Sequence, residues 1–262
     1  MSDTFYAETL RRLKKAGRLH ETMSILVVCG THVDRDVFFN EGFKDVTISN
    51  INESHGDDRI APYRWMRQDV EALSVEDAAY DWLVVHHGLH HCRRPHNALL
   101  EMYRAARVGI LVCEPRDNVL VRIGKGLGVG QEYEVHAVAD NEQVGGGVND
   151  SAIPNFVYRW RPREIIDCLK AYSPEFEIEH TLYHHLEVHW HDLKVKRNKI
   201  PWCIALLSWP LLRVGVACIP SLANTFALAV YKTNRTHPWL KQTDRGVLPD
   251  NEWFRQRIQK RI

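Results

Sequence analysis

Apolar positions along this chain come in short unbroken runs, and stretches with helical spacing separate them. "SILVVCG" (Ser24–Gly30) is a β-branched apolar run closed by glycine, the pattern of a buried strand. Ahead of it, Phe5, Leu10 and Leu13 recur among lysines and arginines, so residues 1–22 predict an amphipathic helix. "DRDVFFNEGF" has helix composition and stops at Gly42, where a glycine would end a helix. Further strands are expected in "KDVTISNIN" (Lys44–Asn52) and in "YRWMRQDVEAL", the latter ending near Asp69. Two more are "YDWLVVHHGLHH" and "VGILVCEP" (Val108–Pro115), with helical "ALLEMYRAAR" between them and Leu99, Leu100 and Tyr103 on its apolar side. Buried strands alternating with helices predict an α/β protein with a mainly parallel sheet.

The second half loses that rhythm. Gly124–Gly130 and "VGGGVNDSAIPN" (Val144–Asn155) read as flexible, turn-rich stretches. A helix in "RPREIIDCLKAY", strands in "EFEIEHTLYHH" and "NTFALAVYKT" (Asn224–Thr233), and a terminal helix in "WFRQRIQKRI" complete the pattern. Between those strands lies "PWCIALLSWPLLRVGVACIP" (Pro201–Pro220), apolar except for Ser208 and Arg213. Pro210 and Arg213 at its middle favour a buried helix or a lid over a membrane span. Peripheral membrane or lipid contact through residues 201–220 is the alternative. With no repeat or low-complexity linker, residues 1–262 read as one domain with an elaborated C-terminal half.

Composition adds bounds. The chain is 45% hydrophobic and 26% charged, with formal net charge +1, so no overall basic field points to nucleic acid. Six cysteines are widely spaced without a Cys-x-x-Cys pair, and the N-terminus lacks a hydrophobic signal core. Free thiols and a cytoplasmic location are therefore expected, with no disulfide framework.

The densest chemistry is "WLVVHHGLHHCRRP" (Trp82–Pro95). Pairs His86/His90 and His87/His91 have the spacing that would converge on a helix face and hold a metal. The stretch reads as a strand, however, and Gly88 interrupts it, so no metal is expected. A second cluster, His180–Asp192, holds five histidines and reads as the polar face of an edge strand plus a surface loop. In "NFVYRWRPRE", Phe156, Tyr158 and Trp160 at spacing two read as one buried strand face, while Arg159 suits an anionic or ring-bearing ligand.

Residues Tyr80–Asn118, "YDWLVVHHGLHHCRRPHNALLEMYRAARVGILVCEPRDN", resemble the fourth-strand block of class I S-adenosylmethionine-dependent methyltransferases, close to the type-11 methyltransferase domain. "RQDVEAL" is similar to the family's acidic turn before that block. The glycine loop departs from the family pattern. In "LVVCGTHVD" only Gly30 of the three glycines remains, Val28 and His32 take the outer positions, and Leu26 stands where an acid is usual. Asn50 replaces the acid that ends the second strand.

The resemblance implies a Rossmann-like, seven-stranded, mainly parallel sheet with helices on both faces. Residues 23–118 would form the cofactor core, residues 119–220 acceptor-side insertions and residues 221–262 the final strand and tail. It implies S-adenosyl-L-methionine as cofactor and methyl transfer to a small molecule such as a sugar, a lipid-linked intermediate or a secondary metabolite. Cofactor-side residues would be Cys29, Gly30, Thr31, Asn50, Ile51, Asp69, Val70 and His86. On the acceptor side would stand His87, Glu114, Arg116, Tyr158 and Arg159, with His90 or His91 as general base. The alternative is a degenerate fold acting as a non-catalytic structural or regulatory partner; a homodimer or a partner methyltransferase is the assembly to look for.

Overall fold

The apolar runs become the middle of a sheet. In the computed structural model, which describes residues 3–56, 58–128, 131–188, 190 and 199–258, the first three strands are β1 (Ser24–Val28), β2 (Asp45–Asn50) and β3 (Arg64–Arg67). Two more follow, β4 (Tyr80–His86) and β5 (Ala106–Pro115); with β6 (Glu179–His185) and β7 (Thr225–Tyr231) the sheet has seven. Their order is β3-β2-β1-β4-β5-β7-β6. The first five are mutually parallel, and β7 runs antiparallel to both its neighbours.

Runs such as Leu83–Val85 and Ile110–Val112 are apolar at every position because helices cover both faces. On one face, α3 (Pro95–Ala105) and α6 (Pro162–Tyr172) press Leu99, Met102, Ile165 and Leu169 onto Leu83, Val85, Ile110 and Leu228. On the other, α1 (Asp3–Lys15) and α2 (His32–Asn40) bury Tyr6, Leu10, Leu13 and Phe38 against Val27, Ile48, Trp82 and Val84. Phe5, Leu10 and Leu13 are thus the core stripe that their spacing predicts. The antiparallel β7 closes the sheet between β5 and the edge strand β6. His185 at the end of that edge stacks on Phe5, and His184 lies 2.9 Å from Arg116 Nη1. His189, His191 and Asp192 of the same histidine cluster, and residues 259–262 of the expected terminal helix, lie outside the described residues.

The second half differs from its sequence pattern in four places. Val119–Gly126 forms helix α4, running into the glycine stretch from Gly124, and Val135–Asp140 forms α5 between the two glycine-rich stretches. Asn118 makes α4 possible by accepting from Val121 N at 3.0 Å as its N-cap. Phe156, Tyr158 and Trp160 do not form a strand: Trp160 is fully buried, but Phe156 is exposed and joins the fold through an isolated bridge to Tyr133. The apolar segment forms a single helix, α7 (Ile200–Cys218), but the expectation that it is buried fails, since only Pro201 and Ala205 are. It is long and apolar enough to cross a membrane by length and composition. Finally, a small hairpin, β8 (Leu240–Thr243) and β9 (Gly246–Pro249), precedes α8 (Asn251–Ile258).

Trp82 anchors the α1/α2 face, fully buried and edge-on to Tyr231 at 5.7 Å. Trp82→Ala is expected to cost about 3–5 kcal/mol in urea denaturation. Trp82→Phe should cost less, because the buried indole Nε1–H has no hydrogen-bond partner to lose.

Candidate active site

A cavity of about 510 Å³ opens where β1, β2 and β4 end. Carboxyl ends of parallel strands are where ligands sit in open α/β sheets. Its wall takes Cys29, Thr31 and Asp34 from the β1–α2 turn, Asn50 and Ile51 from the end of β2, and Asp69 and Val70 after β3. His86, His87, His91 and Cys92 follow β4, and Gly146, Gly147, Asn149 and Asp150 close the far side. Among residues singled out in the sequence, Cys29, Thr31, Asn50, Ile51, Asp69, Val70, His86, His87 and His91 therefore converge.

The altered glycine loop leaves this space open. Val28 and Leu26 point into the core against α3 and α6, while His32 is exposed at the start of α2. Neither replacement side chain fills the cavity. Gly30, the remaining glycine, lets the loop approach β2: a Cβ there would stand 2.8 Å from Ile48 Cγ2. Thr31 caps α2, accepting from Val33 N at 3.2 Å, and Asp34 Oδ2 accepts in return from Thr31 N at 2.9 Å. A carboxylate, absent at Leu26, thus enters the wall in the first turn of α2. Asn50 has a local task as well. It donates to Gly30 O at 3.1 Å and accepts from Asn52 N at 3.0 Å, tying the ends of β1 and β2 together.

Behind the β4 side of the wall lies a buried ion network. Glu114, fully buried on β5, accepts from Gly88 N at 2.9 Å and Leu89 N at 2.8 Å through one oxygen. Its other oxygen accepts from His90 Nδ1 at 2.7 Å. Glu134 stands 3.6 Å from His90 Nε2 and 3.2 Å from His91 Nε2. Burial alone would lower the pKa of His90, but the charges and hydrogen bonds of Glu114 and Glu134 outweigh it and hold it at about 10. The imidazolium returns the favour: against burial, it draws Glu134 down to about 2. His91 is lowered by burial and by the neighbouring His90 cation. Burial pushes His86 down to about 4, and its ring stacks on Tyr6 at 4.4 Å. One charged and two neutral imidazoles thus occupy the end of β4.

His90, His91 and Glu134 offer ligand atoms within 4.8 Å of one another, close enough for a divalent cation. The positive charge such a cation would bring between two carboxylates is already supplied there by the His90 imidazolium. Glu134 and the loop at Gly146–Asp150 were not foreseen from the sequence. Glu134 sits 16 residues beyond the family-like block, and the glycine run looked like slack chain. In the structure that run is tightly placed: a Cβ at Gly147 would lie 1.9 Å from Ile153 O, and Arg93 N donates to Asn149 Oδ1 at 3.2 Å.

Three expected acceptor residues lie apart from this cavity. Tyr158 and Arg159 line a second one of about 580 Å³, together with Asp117, Arg122 and Arg161, and it shares no lining residue with the first. Tyr158 donates to Glu164, and Arg159 Nη2 donates to Gln131 O at 2.6 Å. Arg116 faces His184 on the edge strand instead. Glu114 is a support behind the wall and has no exposed surface.

The ion network sets a pH dependence with a definite sign. The folded-state pKa of His90 is raised, so its contribution is complete below its unfolded value of about 6.5 and is lost as pH rises towards about 10. Glu114→Gln leaves His90 buried beside fewer charges and should cost about 3–5 kcal/mol. Melting temperature followed from pH 6 to 10 should fall in the parent and fall less in this variant; parallel curves would contradict the pairing.

Comparison with known proteins meets this geometry at one segment. Residues 30–113 match the family model of the type-11 methyltransferase domain. Among curated proteins none matches the chain. In solved structures, the chain is similar to magnesium protoporphyrin IX methyltransferase from Synechocystis PCC 6803 with bound SAH. That alignment has TM-score 0.51 and 12% identity, covering 88% of this chain and 83% of that one. A putative methyltransferase from Haloferax volcanii, in complex with the Trm112 methyltransferase activator, aligns with TM-score 0.50 and 10% identity over 90% of this chain and 95% of that one. The matched segment runs from the glycine loop to the end of β5 and contains most of the cavity wall: residues 30–113 match a methyltransferase domain, and the whole chain has the Rossmann-like fold of class I S-adenosylmethionine-dependent methyltransferases.

Proposed function

We propose that this chain transfers a methyl group from S-adenosylmethionine to a small-molecule acceptor. The observation that carries the reading is the open cavity within the matched segment, which Val28 and His32 leave unfilled. A pocket of that volume with apolar walls and a few convergent polar groups suits a cofactor. The bound sulfonium supplies an already activated methyl group, which leaves the protein the work of alignment and exclusion of water.

The chain's residues divide that work. Ile51 and Val70 offer apolar flanks for a flat base, and the Asp69 carboxylate stands beside them. Asp69 Oδ1 accepts from Glu71 N at 2.9 Å, which fixes the turn and leaves its other oxygen for a ligand. Asn50 has a second carbonyl lone pair and a second N–H for a hydroxyl pair. Asp34, beside Thr31, supplies a carboxylate for a cationic group. A neutral His86 closes the floor without adding charge.

On the acceptor side the reading assigns His91 and His87, with the loop at Gly146–Asp150 as the opposing wall. His91, whose Nε2 lies 3.2 Å from Glu134, is the imidazole placed to take a proton from a hydroxyl acceptor. Glu134 and the Gly147 carbonyl favour the protonated ring that results. His90 is buried and already charged, so it acts as the fixed cation that orients Glu134. A sugar, a lipid-linked intermediate or a secondary metabolite would all suit this role.

Binding of S-adenosylmethionine or its demethylated product, followed by thermal shift, tests the reading. Ligand at one hundred times its dissociation constant should add about 2.7 kcal/mol. Asp69→Ala should remove the shift while leaving the ligand-free protein folded. If neither compound at millimolar concentration moves the melting temperature of the parent, the non-catalytic partner becomes the better description.

A further inference from the structure

Helix α7 is the largest feature that methyl transfer does not use. Leu207, Leu211 and Val214, at helical spacing on one face, are 79%, 76% and 64% exposed. Beside it, α4 exposes Val119, Ile123 and Leu127, also on one face. The two helices are joined at both ends. Asn118 Nδ2 donates to Ala223 O at 2.7 Å, just past α7, and a Cβ on Gly128 would lie 3.4 Å from Pro201 at its start. Exposed apolar positions on adjoining helices exceed what a solvent-facing surface ordinarily carries.

The charge pattern says what covers them. From Leu193 to Asn224 the chain has no aspartate or glutamate, and its charged residues are Lys194, Lys196, Arg197, Lys199 and Arg213. An exposed apolar helix in a stretch whose own charged residues are all basic complements an anionic lipid surface. Tryptophan contact fits the same setting, since Trp190 packs on Trp209 of α7 at 5.5 Å.

The topology decides how the helix meets the lipid. The excursion leaves after His185 and returns at Thr225, which are paired neighbours in the sheet. Its base is clamped where Asn224 Nδ2 donates to Glu187 O at 2.7 Å and Glu187 N donates to Asn224 Oδ1 at 2.8 Å. A helix crossing the bilayer from that base would draw the charged stretch from Glu187 to Lys199 back through the hydrocarbon, which is costly. The helix therefore lies along the interface. The clamp also sets orientation: Thr225 pairs with Pro115 at the carboxyl end of β5, the end at which the cavity opens.

We propose that α7 and α4 dock this protein on an anionic membrane surface, with the cavity end of the sheet towards the lipid. The docking does not depend on methyl transfer. Co-sedimentation of the full chain with lipid vesicles tests it. Vesicles of phosphatidylcholine with phosphatidylglycerol should retain the protein, more weakly at high salt, and pure phosphatidylcholine should retain less. Leu207→Glu with Leu211→Glu should weaken retention by at least about tenfold, without changing the melting temperature. Ile123→Glu on α4 should weaken it as well, an arm that leaves α7 intact. Absence from both kinds of vesicle, or retention that all three substitutions leave unchanged, overturns the proposal. So does a parent that ignores vesicles but is a dimer the double variant dissociates, which would make this face a self-interface.

Discussion

A single buried carboxylate organises the functional end of this sheet. Glu114 accepts two backbone N–H groups and one imidazole from the chain just past β4. Those bonds pull Gly88–His90 back over the end of β5 and hold the left-handed turn at His87, where φ is 55°. His87 N donates to Cys113 O at 2.9 Å, so the turn is fastened to β5 by backbone and side chain alike. An unpaired carboxylate at full burial would be strongly unfavourable, and the charged His90 is what makes Glu114 tolerable there. His90 then passes the constraint outward to Glu134. Asn155 completes the connection, donating to both His90 O and Glu134 Oε2 at 3.2 Å. The irregular segment over the cavity is in this way tied to the core strand beneath it.

That network explains why adjacent histidines behave differently. His90 is enclosed between two carboxylates and keeps a proton far into the alkaline range. His91, one residue on, meets Glu134 but not Glu114 at ion-pair distance, and has a cation beside it. For His86 burial is the largest cause, and the His90 cation adds to it. Sequence proximity gives all three the same chemistry, and the direction of each side chain separates them.

The cavity wall shows a related separation of pattern from space. Two of the three glycines expected in the β1–α2 turn are missing, yet the volume beside that turn is intact. A strand turns alternate side chains to opposite faces, so Val28 is spent on the core, and helix α2 turns His32 outward. What the turn needs is close approach at Gly30 and a capped helix start, and Thr31 with Asp34 provides the cap.

The strands and their covering helices could be read from the chain because burial on both faces demands unbroken apolar runs, and a helix covering one face demands the spacing of Phe5, Leu10 and Leu13. The block from Tyr80 to Asn118 likewise announced its family, since a strand end, a turn and the next strand are local in sequence. The cavity-lining positions at strand ends, from Cys29 to His86, were legible in the same way. Beyond that block the chain gave little. Glu134, Asn155 and the loop at Gly146–Asp150 act through partners 20 to 70 residues away, and nothing in the local pattern of glycines separates a tight cap from a slack loop. Tyr158 and Arg159 carry plausible ligand chemistry, but the path of the chain places them on another cavity. Helix α7 is the plainest case. Its apolar composition could be read from the sequence, but whether that surface is covered by protein is a property of everything packed around it, and only the tertiary structure leaves it bare.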